Sequence, residues 1–167
     1  MSTKEHRKNA PEKLRISVLT ISTTRTLEND QSGLWIKNQA VIRGHDVILH
    51  QVIPDEAKSI SQMVLHVLSG LKPHVLLLTG GTGISSKDVT IEAVRPLFEK
   101  ELTGFGSIFA QLSFQEINSA AILSRATAGV IDRTIIFCMP GSLKACILAC
   151  NSLIFPELGH LVKHAHE

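Results

Sequence analysis

Short apolar runs and longer amphipathic stretches alternate along the chain from residue 15 onward. Residues 16–21 and 47–53 are rich in aliphatic and β-branched side chains, and Ser22 and Pro54 follow them, a pattern typical of strands that end in loops. Residues 75–78 are apolar at every position, which predicts a central strand covered on both faces.

Two helices are predicted between these strands. The first covers residues 34–43, which Asp30, Ser32 and Gly33 are expected to cap and Gly44 to close. The second begins at a capping box that Ser59 and Gln62 would form. Its apolar residues follow the spacing of one helical face and are Ile60, Met63, Val64, Val67, Leu68 and Leu71. Strand, helix, strand, helix, strand in this order predicts βαβ units and a largely parallel sheet.

The second half of the chain continues the alternation. Its predicted elements are a helix over about 88–101, a short helix over 104–118, strands over 120–125 and 134–138 joined through Ala128-Gly129, a helix over 143–154, and a last helix after Pro156.

Composition favours a soluble single-domain protein. The 167 residues suit one domain, and 44% hydrophobic residues suit a packed core. Residues 1–13 carry almost nothing apolar and are expected to form a flexible tail before a single domain over 14–167. A net charge of +2 and 4% aromatic residues argue against broad binding to nucleic acid or a membrane. No uninterrupted apolar run approaches the length of a membrane span.

The cysteines and histidines give little support to a metal site. Cys138, Cys146 and Cys150 are odd in number and lack a Cys-x-x-Cys pair, which argues against a disulfide framework and for a reducing, cytoplasmic setting. Cys146 and Cys150 lie four apart on a predicted helix, where core packing is expected and a metal role is the alternative. The histidines within residues 160–166 are interpreted as a solvated last helical turn.

A glycine-rich loop, Thr79-Gly80-Gly81-Thr82-Gly83, follows the apolar strand and precedes a predicted helix. Open α/β sheets bind ligands at this position, and glycines let backbone N–H groups approach an anion. The loop is not a Walker sequence, and Ser86 stands where the third glycine of a dinucleotide fingerprint would be. A tight turn is the alternative, but three glycines among four residues favour anion binding.

A second loop, Pro140-Gly141-Ser142, also lies between an apolar strand and a predicted helix. Two such loops at one edge of a sheet predict a cleft that holds two phosphorylated groups, or one ligand with phosphates at both ends. A simple helix entry capped by Ser142 is the alternative. Polar and cationic side chains expected near this loop are Ser124, Arg125 and Lys144.

Two carboxylates are expected at the same edge of the sheet. Asp55 follows the second strand, and Asp88 opens the predicted third helix. Carboxylates that face phosphates repel them unless a hard cation lies between, and Mg²⁺ is usually held by one or two carboxylates plus substrate phosphates. The alternatives are a turn residue for Asp55 and a residue that complements the helix dipole for Asp88.

Five spaced motifs together resemble the MoaB/MogA family of molybdenum cofactor biosynthesis, most closely its MoaB branch. They are Thr79-Gly80-Gly81-Thr82-Gly83, Asp88-Val89-Thr90-x-Glu92-Ala93, Gly104-Phe105-Gly106, Ser124-Arg125-Ala126-x-Ala128-Gly129 and Pro140-Gly141-Ser142-x-Lys144-Ala145. The match covers about residues 15–161 and includes Asp30-x-Ser32-Gly33.

The resemblance implies a three-layer α/β/α sandwich with a mostly parallel mixed sheet, assembled as a trimer or a dimer of trimers. It implies binding of molybdopterin, a pterin dithiolene with a terminal phosphate, and in active members adenylylation of that phosphate by ATP with Mg²⁺. By similarity, Asp55 and Asp88 would hold Mg²⁺ and position the nucleotide. The residues that would bind nucleotide phosphates are Thr79, Gly80, Gly81, Thr82 and Gly83. Those that would line the pterin side are Ser124, Pro140, Gly141 and Ser142.

Four positions depart from the family pattern. Ser107 and Ala110 stand where the family commonly has Glu and Arg, while Lys87 replaces a frequent Arg and Ile91 a frequent Pro. Joint loss of an acid and a base is compatible with compensated substitution at an interface or within a helix. It also leaves a non-catalytic molybdopterin-binding or scaffold protein of the same pathway as the alternative.

Overall fold

The structure is a computed structural model that describes residues 11–167, and most of the predicted tail lies outside the described residues. At the last residue of that predicted tail, Lys13 Nζ lies 3.0 Å from Asp46 Oδ1. Leu14 is fully buried, so packing against the core has begun by this residue.

Strands and helices alternate along most of the chain. The strands are β1 (Arg15–Ile21), β2 (Asp46–Ile53), β3 (Val75–Thr79), β4 (Lys100–Glu101), β5 (Thr127–Ile131) and β6 (Thr134–Met139). The helices are α1 (Gln31–Ile42), α2 (Ala57–Leu71), α3 (Thr90–Val94), α4 (Thr103–Ile117), α5 (Leu143–Ala149) and α6 (Phe155–His166), with 3₁₀ turns at Arg95–Leu97 and Asn118–Leu123.

The strands form one sheet in the order β2-β1-β3-β6-β5-β4. Neighbours are parallel from β2 through β6, whereas β5 and β4 are antiparallel additions at one side. The chain turns from β1 toward β2 on one side and continues from β3 toward β6 on the other. This change of direction opens a crevice at the carboxyl ends of β1 and β3, where open α/β sheets bind their ligands.

Helices cover both faces of the sheet. Alternate side chains of β3 separate the two sides, since Val75 and Leu77 pack with α1, α4, α5 and α6, while Leu76 and Leu78 pack with α2 and α3. All four of these side chains are fully buried. The expected three-layer α/β/α sandwich with a mostly parallel mixed sheet is therefore confirmed.

Two helix predictions differ from the structure. α2 begins at Ala57, so the predicted capping box is wrong, and Ser59 Oγ instead donates to Glu56 Oε2 at 3.2 Å. The helix predicted over 88–101 covers only Thr90–Val94, because the chain tightens into a 3₁₀ turn that contains Pro96 and then forms β4.

The strand predicted over 120–125 is also wrong. These residues belong mostly to the 3₁₀ turn Asn118–Leu123. Ala121 is buried, but Ile122 is 86% exposed, so most of the apolar run faces away from the core. Ala128 and Gly129 lie inside β5 rather than between strands. The turn of the hairpin from β5 to β6 is made by Asp132 and Arg133, which have φ of 44° and 65°.

The C-terminal helix continues through Pro156 instead of breaking there. A π-helical turn, Cys150–Ile154, joins α5 to α6 and widens the helix just before the proline. Pro156 has no backbone N–H and therefore cannot make the hydrogen bond of an ordinary α-helix at this point. By length and composition this 24-residue segment, Leu143–His166, could cross a membrane. Its buried side chains, Cys146 and Leu158 among them, pack into the core against the sheet. It is therefore a core helix of this fold.

Candidate functional site

A cavity of about 990 Å³ opens at the carboxyl edge of the sheet. Loops after β1, β3 and β6 surround it, and α4 and the 3₁₀ turn after it form the opposite wall. Of the predicted site residues, those that line it are Asp55, Gly80, Gly81, Thr82, Gly83, Asp88, Ser124, Pro140, Gly141 and Ser142. The structure therefore brings residues of the two loops and the two aspartates to one cavity.

The glycine-rich loop takes a path that only glycine accommodates. Gly80 has a φ of 101° and Gly81 a φ of 64°. A Cβ at Gly80 would lie 2.4 Å from the backbone oxygen of Ile21, so the loop touches the end of β1 directly. Thr90 holds the loop from the other side, because its Oγ1 donates to Gly80 O at 2.8 Å and its N–H donates to Gly81 O at 2.9 Å.

Arg125 supports this same loop. Its Nε donates to Thr82 O at 2.9 Å, and its two terminal nitrogens donate to the Glu92 carboxylate at 2.6 and 3.2 Å. The hydrogen bond with Glu92 raises the pKa of Arg125 and lowers that of Glu92. The sequence suggested that Arg125 lies near the second loop, whereas the structure attaches it to the first. Arg125, which lies just before β5, thereby holds the backbone of the glycine-rich loop in place.

The two loops lie side by side, with Gly141 next to Gly80. A Cβ at Gly141 would lie 3.1 Å from Gly80 Cα. Thr79 is fully buried, and its hydroxyl donates to Pro140 O at 2.9 Å. Thr79 therefore ties the loops together, which leaves Gly80 to Gly83 as the part of the motif that lines the cavity. Ser142 caps α5 by accepting from Ala145 N–H at 3.3 Å.

The loop after β1 and the first turn of α1 hold the second loop through the Gly141 carbonyl. Ser32 Oγ donates to Gly141 O at 2.8 Å, and an Arg25 guanidinium nitrogen donates to the same oxygen at 3.1 Å. Arg25 also lines the cavity. Sequence analysis did not single out Arg25, because nothing in its local pattern shows that it meets a loop 116 residues later.

The buried carboxylate of Asp30 contacts several side chains next to Arg25. As predicted it caps α1, accepting from Gly33 N–H at 3.0 Å, but it also accepts from Thr20 Oγ1 at 2.5 Å and lies 2.9 Å from His50 Nε2. Burial alone would raise the pKa of Asp30, but the hydrogen bonds from Thr20, His50 and Gly33 together lower it. An ionised carboxylate 3.8 Å from the Arg25 guanidinium helps to hold that side chain at the cavity wall.

Acidic and basic side chains line the cavity in equal number. Asp88 accepts from the Ser85 backbone N–H at 2.9 Å, and hydrogen bonding with Ser85 outweighs burial and lowers the pKa of Asp88. Three carboxylates and three cations line the cavity, namely Asp55, Asp88 and Glu116 with Arg25, Lys87 and Lys144. Glu116, which α4 contributes, carried no sequence signal of its own. The arrangement can bind a phosphorylated ligand and can share a hard cation with it.

Comparison with known proteins identifies relatives along nearly the whole chain. A model of the family described as "Probable molybdopterin binding domain" matches residues 17–160. "Molybdenum cofactor biosynthesis protein B" of Bacillus subtilis is 48% identical over 164 residues, which are 98% of this chain and 96% of that protein.

Two solved structures show the same architecture. A crystal structure of Molybdenum cofactor biosynthesis protein B is 45% identical, with a TM-score of 0.91 over 95% of this chain and 99% of that one. The tungsten cofactor synthesizing protein MoaB from Pyrococcus furiosus is 33% identical, with a TM-score of 0.82 over 95% of this chain and 100% of that one.

Proposed function

Because this chain belongs to the family of molybdopterin-binding proteins of molybdenum cofactor biosynthesis, we propose that it adenylylates the terminal phosphate of molybdopterin with Mg-ATP. The family resemblance inferred from the five motifs is confirmed, and a role in molybdenum cofactor biosynthesis follows from it. The adenylyl transfer, the metal and the roles of single residues are the proposal.

The observation that carries the proposal is the meeting of the two loops over one cavity. A Cβ added at Gly141 would already crowd Gly80 Cα, so the loops lie side by side and phosphates held by each would be neighbours. The cavity volume of about 990 Å³ is at the upper end of the range for small-molecule sites, about 300–1,000 Å³, and suits two ligands side by side.

The reaction needs positioning and charge compensation more than a protein nucleophile. An oxygen of the molybdopterin phosphate attacks the α-phosphorus of ATP and forms a phosphoanhydride bond. The bond from the α-phosphorus to the bridging oxygen breaks, and pyrophosphate leaves with the electron pair. Backbone N–H groups of Gly80 to Gly83 would bind nucleotide phosphates, while Ser124 and the loop of Pro140, Gly141 and Ser142 would bind the pterin side. Arg25, Lys87 and Lys144 would offset the negative charge of the reacting groups.

The carboxylates fit Mg²⁺ by their chemistry. Asp55 and Asp88 bring oxygen ligands from two different loops to one cavity, and hydrogen bonding keeps Asp88 ionised. Within residues 11–167 there is no group of three or more His, Cys, Asp or Glu side chains suited to a metal. That agrees with an ion held partly by substrate phosphates, and bound Mg²⁺ would neutralise phosphate charge there.

The departures at Ser107 and Ala110 lie outside the lining of the cavity. Both residues are on α4, and Ser107 Oγ donates to Thr103 O at 3.3 Å within the same helix. The cavity of this chain is therefore lined without either side chain, which is compatible with the enzyme.

We also propose a trimer or a dimer of trimers in the cytoplasm. Large apolar side chains of α4 and of the turn after it are exposed. Those with about half or more of their surface exposed are Ile108, Phe114, Ile117, Ile122 and Leu123. Burial of this surface against another copy would offset its exposure. Light scattering on the purified protein should give three or six times the mass of one chain, and a monomer would contradict the assembly.

An adenylylation assay tests the catalytic proposal. Wild-type protein incubated with molybdopterin and Mg-ATP should release pyrophosphate and give a product that mass spectrometry detects as molybdopterin plus AMP. Asp55→Asn and Asp88→Asn should each lower the rate by about a hundredfold or more. Asp132→Asn is the matched control, because Asp132 is an exposed aspartate in the β5–β6 turn, and it should keep the wild-type rate.

Two results separate the alternatives. Tight molybdopterin binding without any product would identify a non-catalytic binding protein of the pathway. Wild-type rates in both cavity variants would show that these aspartates do not serve the reaction.

A further inference from the structure

One wall of the cavity, built by α4, carries two polar side chains that the proposed phosphate chemistry does not use. Ser113 and Glu116 both line the cavity, and their spacing of three residues places them on one face of the helix. Ser113 is only 4% exposed, and its hydroxyl makes no hydrogen bond to any of the described residues 11–167. Because Ser113 is otherwise enclosed, a partner for this hydroxyl has to reach it from the cavity.

The carboxylate of Glu116 is placed differently from those of the two aspartates. Asp55 and Asp88 come from loops at the sheet edge, where phosphates and a cation are proposed, whereas Glu116 comes from the helical wall opposite. Among the described residues, none forms an ion pair or a hydrogen bond with Glu116. A carboxylate accepts hydrogen bonds and repels phosphates, so at this wall it suits a ligand group that carries N–H donors.

Apolar side chains contribute to the same end of the cavity. α4 packs against α5, and both helices line the cavity. Ala145 and Leu148 come from α5, while Ile117 and Ala120 come from the end of α4 and the turn after it. Apolar walls with a few convergent polar groups suit a flat heterocycle, because its faces pack against carbon and its edge needs hydrogen bonds.

We propose that Ser113 and Glu116 recognise the pyrimidine edge of the pterin and make the site selective for a 2-amino-4-oxo ring. This assignment rests on the proposed binding of molybdopterin in the cavity and names the residues that recognise its ring. Along that edge lie the oxygen on C4, the N–H of N3 and the amino group on C2, which are one acceptor followed by two donors. The Glu116 carboxylate accepts from the two donors, and the Ser113 hydroxyl donates to the C4 oxygen.

The same two side chains discriminate against adenine, the other ring in the proposed reaction. Adenine carries one amino group with a ring nitrogen acceptor on each side of it. A carboxylate that faced this edge would accept one hydrogen bond and would oppose a lone pair. The pterin is thereby assigned to the α4 wall, which adjoins Ser124 after the 3₁₀ turn and Ser142 at the start of α5.

Two ring probes test the proposal without any need for turnover. They are pterin itself and lumazine, in which an oxygen replaces the amino group on C2. Fluorescence titration with the full chain at neutral pH should show that the wild type binds pterin about tenfold or more tightly than lumazine. Glu116→Gln should weaken pterin binding about ten- to a hundredfold and should reduce the preference to about threefold or less, because an amide can donate or accept. Ser113→Ala should weaken both probes about three- to tenfold, since both carry the C4 oxygen.

Two matched variants control for effects of substitution alone. Glu28→Gln and Ser119→Ala change exposed side chains that do not line the cavity, so both should bind the probes as the wild type does. Failure of the wild type to bind pterin, equal affinity of the wild type for the two probes, or an unchanged preference in Glu116→Gln would overturn the proposal.

The adenylylation assay separates this outcome from that of the proposed reaction. A preference for pterin that depends on Glu116, in a protein that forms no adenylylated product, would support the ring assignment and refute only the transfer step. Product formation by a protein that binds pterin and lumazine equally would refute the ring assignment alone.

Discussion

Replacing Gly80 by alanine tests the loop contact on which the cavity depends. The backbone at this position has a φ of 101°, which side-chain-bearing residues avoid at a cost of about 1–3 kcal/mol. The added methyl would also stand 2.4 Å from Ile21 O, a backbone atom that cannot rotate away. Strain and displacement together should lower the free energy of unfolding by about 2–4 kcal/mol. For a chain of this length that is a fall of about 5–15 °C in the unfolding midpoint.

Circular dichroism during heating and urea titration measures this loss, and two glycine variants serve as controls. Gly70→Ala lies in α2 with open space around it, so it should stabilise the protein by about 0.4–1 kcal/mol. Gly129→Ala would meet the Phe98 ring at 2.4 Å, away from the cavity lining, so it should destabilise the fold without the same loss of molybdopterin affinity. If Gly80→Ala unfolded at the wild-type midpoint and bound molybdopterin equally well, the proposed tight contact between the loop and β1 would be refuted.

Three further predictions concern the polar contacts around the cavity. Arg25→Gln should lower affinity for molybdopterin and ATP, measured by calorimetry, by about tenfold or more, because a cavity cation and a bond to Gly141 are both lost. Since the pKa of Asp30 is lowered in the folded state, its stabilising effect is present above its unfolded pKa of about 3.9 and is lost as pH falls through the folded value. Asp30→Asn should therefore show a shallower loss of stability below about pH 4 in urea titrations. Arg125→Lys cannot hold Thr82 O and both Glu92 oxygens, so it should lower the midpoint of thermal unfolding by a few degrees; an unchanged midpoint would contradict that role.

Sequence patterns predicted the elements whose signals are local. The cap of α1 at Asp30, the apolar stripe of α2 and the fully apolar β3 each depend on residues within one turn or one strand, and the structure has all three. The glycine-rich loop was found for the same reason, because its composition is visible in five consecutive residues.

The errors arose where tertiary contacts decide the local conformation. Residues 120–125 carry an apolar run that would suit a strand, but Asn118 ends α4 with a φ of 52° and the chain turns into a 3₁₀ segment at the surface. Likewise α3 stops early because its segment supplies the short edge strand β4, which pairs with β5. No local pattern specifies that pairing.

Long-range contacts explain what the sequence missed in the site. Arg25 reaches the second loop from the opposite end of the chain, and Glu116 enters the cavity from α4. Each of these residues has an ordinary surface identity in its own segment. Only the order of strands in the sheet brings them to the two glycine loops.

The most direct test of the site is a crystal structure of the protein with molybdopterin bound. The terminal phosphate should lie between Gly80–Gly83 and Pro140–Ser142, with the pterin against Ser124 and the second loop. Molybdopterin bound elsewhere on the molecule, with this cavity holding none of it, would contradict the account.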